Sequence, residues 1–200
     1  MEALSFLELS SYAGLLATGA LTLNFLLGMM ISTGYTRFAY WKRLPDKIQK
    51  WNILNIHNWT AYAALVLVLV HPLLLLFDPR TKFFIIDIFY PVNAPHEKWM
   101  VAFGTISMYA LIVVIITTQK VIKRSMGFRT WKTIHLISYG TALLFLVHGI
   151  IIDPKLKDRP VDLVDAEKMV PEGCLLLIII ASAIRYRYYL RNKKSKLKLY

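Results

Sequence analysis

The chain has 200 residues, 56% of them hydrophobic and 18% charged, against about 45–50% and roughly 25% in a soluble domain. With a mean hydropathy of +0.49 an ordinary water-soluble globule is excluded, and the net charge of +12, a nucleic-acid signal in isolation, has to be judged by where the charges sit. The lone cysteine, Cys174, excludes a disulfide framework and a cysteine-rich metal site.

The first residues include Glu2 and Glu8 but no Lys or Arg, the reverse of a signal peptide's basic start. The apolar stretch that follows, residues 12–33, therefore reads as a retained span. Four more stretches come near the roughly 20 residues a helix needs to cross a bilayer: 53–77, 99–118, 133–152 and 173–190. Length decides for helix, because strands rarely exceed about ten residues. No composition shift marks a second domain. The expectation is an all-α integral membrane protein, one five-helix transmembrane domain over residues 1–200.

The charges then sort by side. The loop 35–51 carries Arg37, Lys42, Arg43, Lys47 and Lys50 against Asp46 alone. The connection 120–132 and the stretch from Arg185 onward add Lys and Arg with no acid. One side thus holds 17 bases and one acid, the other seven bases and eleven acids. The positive-inside rule places the N-terminus outside and the C-terminus in the cytoplasm, as five spans require. The bacterial inner (plasma) membrane is the expected location. The +12 reports topology and contact with anionic lipid, and no nucleic-acid partner is expected.

Four histidines fall inside the spans. His57 and His71 are 14 residues apart on the second, His135 and His148 13 apart on the fourth. At 1.5 Å per residue these separations are about 21 and 19.5 Å. Both spans run outward, so His57 falls level with His135 near the inner face and His71 with His148 near the outer. Ionisable residues in a span are costly and usually functional, and imidazole is a common metal ligand. Two facing imidazoles at each of two depths is the pattern for two stacked bis-histidine haems. No Asp or Glu lies within any span, which favours neutral ligands and low-spin haem b; no C-x-x-C-H exists for covalent attachment. The helical wheel fits unevenly. Fourteen residues return to within about 40° of one face, whereas thirteen miss by about 140°. Tilt, rewinding near Gly140, or ligands reaching from the flanks of the fourth helix would have to absorb that.

A weak parallel repeat joins the two spans: Trp51 to His57, His71 and Asp78-Pro79-Arg80, then Trp131 to His135, His148 and Asp153-Pro154-Lys155. With His57…His71 and Arg129-Thr-Trp-Lys-Thr-Ile-His135…His148-Gly149, residues 35–152 resemble the ferric reductase-like transmembrane domain. That superfamily includes ferric reductases, NADPH oxidases and the haem-binding subunit of the bacterial methionine sulfoxide reductase system. The resemblance implies pairing of His57 with His135 at an inner haem and His71 with His148 at an outer one, and electron flow from inside to outside. The oxidases and ferric reductases usually carry a further N-terminal span and a cytoplasmic flavin and nicotinamide domain. Neither appears here, nor does any G-x-G-x-x-G loop. Two haem b groups are expected, with no flavin or nicotinamide site in this chain. A partner flavoprotein or membrane quinol would supply electrons to an acceptor docking on 78–98 and 153–172.

Haem carboxylates need cations or donors at each face. Arg129 and Lys132, with Lys50, are the inner candidates; Arg80 and Lys155 are the outer ones. Positive-inside topology explains the inner set equally well. Thr60 and Ser138, each three residues after a histidine, can orient a ligand or simply bond their own backbone. Gly28, Gly104 and Gly149 can admit a macrocycle or serve helix contacts. Pro72 can kink the second span, and His96 reads as a solvated loop residue. Two competitors remain: a quinol-oxidising dihaem anchor of a larger respiratory complex, and a haem-free membrane scaffold or metal transporter.

Overall fold

The computed structural model describes residues 4–156 and 166–197. Ser5 opens α1 (Phe6–Thr33): its Oγ accepts from the Glu8 N–H at 3.3 Å, and the Glu8 carboxylate accepts from the Ser5 N–H at 2.8 Å. This reciprocal capping box starts the helix six residues before the apolar run does. Gly34 closes it in the left-handed conformation, φ 68°, which glycine adopts without strain. A 3₁₀ turn (Tyr35–Arg37) and the single turns α2 (Ala39–Lys42) and α3 (Asp46–Gln49) lead to α4 (Ile53–Leu75), whose N-cap Asn52 accepts from the Asn55 N–H at 3.0 Å. The next loop holds α5 (Ile85–Phe89) and a 3₁₀ turn (Pro91–Asn93); α6 (Lys98–Thr118), α7 (Lys120–Leu156) and α8 (Ala166–Leu197) follow.

Among the described residues, five helices are long and apolar enough to cross a membrane: α1, α4, α6, the Lys120–Ile152 part of α7 and the Lys168–Leu190 part of α8. The fold is all-helical, and the protein is an integral membrane protein. The spans match the expected five; four overrun them at polar ends, where apolarity carries no signal, and α4 stops two residues short of the expected 77. The largest overrun is α7, which begins 13 residues before 133. Its first turns are set off from residues 128–156 at Gly127 (φ 77°, ψ 160°). Gly140, the expected site of irregularity, lies in unbroken helix.

In lipid there is no hydrophobic force between helices, so close packing of small residues must hold them. The buried face of α1 is built that way, from Ser10, Ser11, Ala13, Ala17, Thr18 and Thr22, and α4 lies antiparallel along it. The second tight pair is α6 with α7, and α8 packs on α1 and α7. Leu16, Leu23, Leu54, Val66, Val113, Leu143 and Leu177 point outward, as lipid-facing side chains should.

The loops split as the sequence implies, so the ends of the bundle are described as the basic side (35–51, 119–132, the end of α8) and the acidic side. On the acidic side Asp78 ties two elements. It accepts from the Leu7 N–H at 3.1 Å and from Arg80 Nε and Nη2 at 2.9 and 2.7 Å. The Arg80 side chain above all, aided by backbone N–H bonds, holds the Asp78 carboxyl down at about 2, against the burial that would raise it.

Candidate functional site

The four intramembrane histidines form two pairs between α4 and α7. His57 and His135 have ring centroids 6.2 Å apart with planes at 67°; for His71 and His148 the values are 6.1 Å and 81°. Two in-line metal–nitrogen bonds of about 2 Å, with each ring centre about 1.1 Å behind its nitrogen, would separate centroids by roughly 6.3 Å. Both pairs therefore have the spacing of two imidazoles sharing one metal ion. Among the described residues no group of three or more His, Cys, Asp or Glu forms a metal cage, so each site offers two protein ligands and no more.

The ring nitrogens facing away from each pair explain how the imidazoles are held. His71 Nδ1 lies 2.8 Å from the Ser10 carbonyl oxygen, His57 Nδ1 3.0 Å from that of Asn24, and His148 Nδ1 2.7 Å from that of Met100. A carbonyl only accepts, so Nδ1 carries the proton and Nε2 is the unprotonated nitrogen, the one able to ligate a metal. Each carbonyl belongs to a helix residue whose i+4 neighbour is glycine: Gly14, Gly28 and Gly104. A Cβ on these would meet the ring at 3.0, 3.2 and 2.9 Å respectively. The missing side chain is what lets an imidazole reach the second lone pair of a helix carbonyl.

On α1 the seat occurs twice, at the 14-residue spacing of the histidines it serves. Ser10 and Gly14 hold His71; Asn24 and Gly28 hold His57. Each polar side chain also bonds back to the histidine's own backbone, Ser10 Oγ donating to the His71 carbonyl at 2.8 Å and Asn24 Nδ2 to that of His57. Two helices of equal rise running antiparallel keep both seats in register.

The fourth histidine differs. His135 Nδ1 is buried and has no hydrogen-bond partner, and neither has Trp131 Nε1 beside it. The His135 ring stacks on Trp131, centroids 5.2 Å apart and planes at 25°, with Lys123 Nζ 3.6 Å over the indole. Near this level α6 carries Thr117 and Thr118 in place of a glycine. Their hydroxyls donate to the Val113 and Val114 carbonyls at 2.8 and 2.6 Å, occupying the acceptors a seat would use. The 13-residue spacing is thus absorbed by different supports: His148 leans on α6, His135 on a ring of its own helix.

Between the two levels lies an apolar plug of Ala17, Val68 and Met108, flanked by Leu21, Leu67, Leu111 and Phe145. A pocket partly open to its surroundings lies around the acidic-side pair, lined by Ser10, Gly14, His71, Gly104, Thr105 and His148 among others.

A family model, the ferric reductase like transmembrane component, matches residues 13–147. The chain belongs to the ferric reductase-like family. Such domains are associated with haem binding, and membership suggests a role in transmembrane electron transfer. Neither the curated proteins nor the solved structures provide a match to this chain.

The ferric reductase-like core places the other sequence candidates unevenly. Thr60 Oγ1 donates to the His57 carbonyl at 3.0 Å and Ser138 Oγ to that of His135 at 2.6 Å; both bond their own backbone and neither reaches a ring nitrogen. Gly28 and Gly104 seat imidazoles, whereas a Cβ on Gly149 would meet only Thr18, at 3.9 Å. Arg80 is engaged by Asp78. Arg129, Lys132 and Lys50 are exposed at the basic side, and the Lys155 side chain lies outside the described residues. His96 is exposed, near Phe83. The sequence reading missed Gly14 and the three carbonyls. The signal was present in Ser10-x3-Gly14 and Asn24-x3-Gly28, which repeat at the histidine interval.

Proposed function

We propose that this chain is a dihaem b-type electron-transfer subunit, in which His57 and His135 would hold one haem and His71 and His148 the other. The observation that supports this most is the double pairing: two imidazole pairs at 6.2 and 6.1 Å between the same two helices of a ferric reductase-like chain. A metal-free scaffold has no use for three imidazoles whose Nδ1 protons are spent on carbonyls, the tautomer that makes Nε2 the metal-binding nitrogen.

Haem bound there would supply one-electron Fe(III)/Fe(II) chemistry at two depths. The residues do the remaining work. Ser10, Asn24 and Met100 fix the tautomer and aim of three ligands, and a carbonyl partner raises the basicity of its imidazole. Gly14, Gly28 and Gly104 hold those rings at the correct depth. The plug around Val68 and Met108 keeps water from joining the two levels. With no carboxylate between them there is no relay for protons, so the chain passes electrons alone.

In the orientation given by the charges, the His57/His135 level is cytoplasmic and the His71/His148 level extracytoplasmic, in a bacterial inner membrane. Electrons enter from a partner flavoprotein or membrane quinol and leave to an acceptor outside. A pyridine-haemochrome assay of the purified chain tests the core of this reading. Two haem b groups per chain are expected, and a chain expressed with ample haem that purifies without a Soret band would overturn it.

A further inference from the structure

Between α4 and α6 the chain carries charge at both flanks, Asp78, Arg80 and Lys82 on one and Glu97 and Lys98 on the other. The stretch 83–92 between them, Phe-Phe-Ile-Ile-Asp-Ile-Phe-Tyr-Pro-Val, holds no charged residue but Asp87. Phe83 and Ile88 turn inward and line the pocket around His71 and His148. Phe84, Ile85, Ile86, Phe89, Tyr90 and Val92 turn outward and are 45–71% exposed. A contiguous apolar patch of this kind marks a surface that something other than water covers.

Two hydrogen bonds fix how deep the stretch lies. Thr105 Oγ1 donates to the Ile88 carbonyl at 2.9 Å, and Tyr109 Oη to the Phe89 carbonyl at 2.8 Å. Thr105 is about 10 Å along α6 from its first residue, next to the Gly104 that seats His148. With 21 residues, α6 is about 31 Å long, close to the roughly 30 Å of a bilayer's hydrocarbon. Trp99 at its start is 77% exposed, a residue type enriched at the lipid–water boundary. The end of α5 therefore lies well inside that boundary, at the level of the acidic-side imidazoles. Beside it Ile106, Tyr109 and Val113 form an exposed stripe on α6.

The backbone is closed off as lipid requires. A helix leaves its last carbonyls without partners of its own, and in α5 two of these, on Ile88 and Phe89, are taken by the α6 hydroxyls. At the other end the buried Asp87 carboxylate accepts from the Phe84 N–H at 2.9 Å, so the stretch's ionisable group faces protein. The Tyr90 and Val92 N–H groups donate to the Ile86 and Tyr90 carbonyls, and Pro91 has no N–H to place. Backbone at membrane depth is tolerated when its polar groups are met inside the protein. Lys82 (φ 54°) and Glu97 (φ 39°), both left-handed, turn the chain at the two flanks. We propose that residues 84–92 are a re-entrant segment inserted into the acidic-side leaflet, with lipid acyl chains covering its outward face. The segment is a side wall that keeps water off one flank of the His71/His148 pocket. A partner protein on this side meets the charged flanks 78–82 and 93–98, and not the middle of the loop.

The test places single bimane-labelled cysteines in a Cys174→Ala background of the full chain, in phosphatidylcholine nanodiscs with and without doxyl-labelled lipid. Ile106→Cys, on the exposed stripe of α6, is the lipid standard, and Lys82→Cys the water standard. An Ile86→Cys label should be quenched by doxyl lipid as strongly as the Ile106 label, and by aqueous iodide several-fold less than the Lys82 label. Phe89→Cys, also on the outward face, repeats the measurement should the Ile86 label disturb folding. Iodide quenching at residue 86 equal to that at residue 82 would put the loop in water and overturn the proposal. Protection from both quenchers would mean that protein, a second copy of this chain or another partner, covers the face, and would overturn it as well. Neither readout involves a cofactor, so the dihaem reading stands or falls separately in the pyridine-haemochrome assay.

Discussion

The two histidine levels are built from the same pair of helices, at nearly the same ring separation, and yet they are supported differently. At the acidic-side level both imidazoles sit in a carbonyl-and-glycine seat, one on α1 and one on α6. At the basic-side level α1 provides a seat for His57, while α6 has threonines whose hydroxyls already use the carbonyls, and His135 turns to Trp131. The comparison teaches that facing histidines alone do not define such a site. The backbone behind each ring sets its tautomer, its basicity and how far it can wander.

The largest effect that would break the comparison is removal of a ligand. His148→Ala should halve the haem per chain in a pyridine-haemochrome assay, and His57→Ala should do the same through the other level. Either variant retaining two haems would show that the levels are not separate sites. Next come the seats. Gly104→Ala puts a Cβ 2.9 Å from the His148 ring, so the ring must shift and lose the Met100 bond; loss or strong spectral change of the acidic-side haem alone is expected. Gly140→Ala meets nothing within 4 Å, should leave both haems unchanged, and is the matched control. Trp131→Leu should be smaller and opposite in location. It frees His135, so the basic-side component should broaden and shift in a redox titration while the other holds its position.

The smallest effect tests the acidic-side clamp. Asp78→Asn weakens the tie between the start of α1 and the loop after α4. A fall in melting temperature of roughly 2–4 °C is expected, the change that about 1 kcal/mol produces in a chain of this size. The carboxyl has its folded-state value depressed to about 2 from 3.8. Its contribution is therefore fully present above pH 3.8 and is lost as pH falls through 2. The difference in melting temperature between Asp78→Asn and the parent should shrink across that window, with no change in haem content.

The five spans, their helical nature and the matched depths of His57 with His135 and of His71 with His148 were legible before any coordinates, from apolar length and nearly equal spacing; the pairing itself was what the family resemblance implied. The helix ends were not legible, because Ser5, Glu8 and the polar first turns of α7 carry no apolar signal. Arg80 was expected to face a haem carboxylate; what the spacing did not show is that its side chain reaches both carboxylate oxygens of Asp78, two residues away. Thr60 and Ser138 illustrate a general difficulty: at i+3 a hydroxyl can reach the ligand's own carbonyl, and nothing in the spacing says that it will prefer this to the ring.

What the sequence determined by itself is the set of quantities that add up along one helix: span length, the depth of each histidine, and the side on which charges collect. What only the tertiary structure decided is what lies behind each ring. Whether a carbonyl is open to an imidazole depends on the neighbouring helix presenting glycine at that height, and on which flank of α7 turns towards it. Those are properties of two helices in contact, and neither strand of sequence contains them alone.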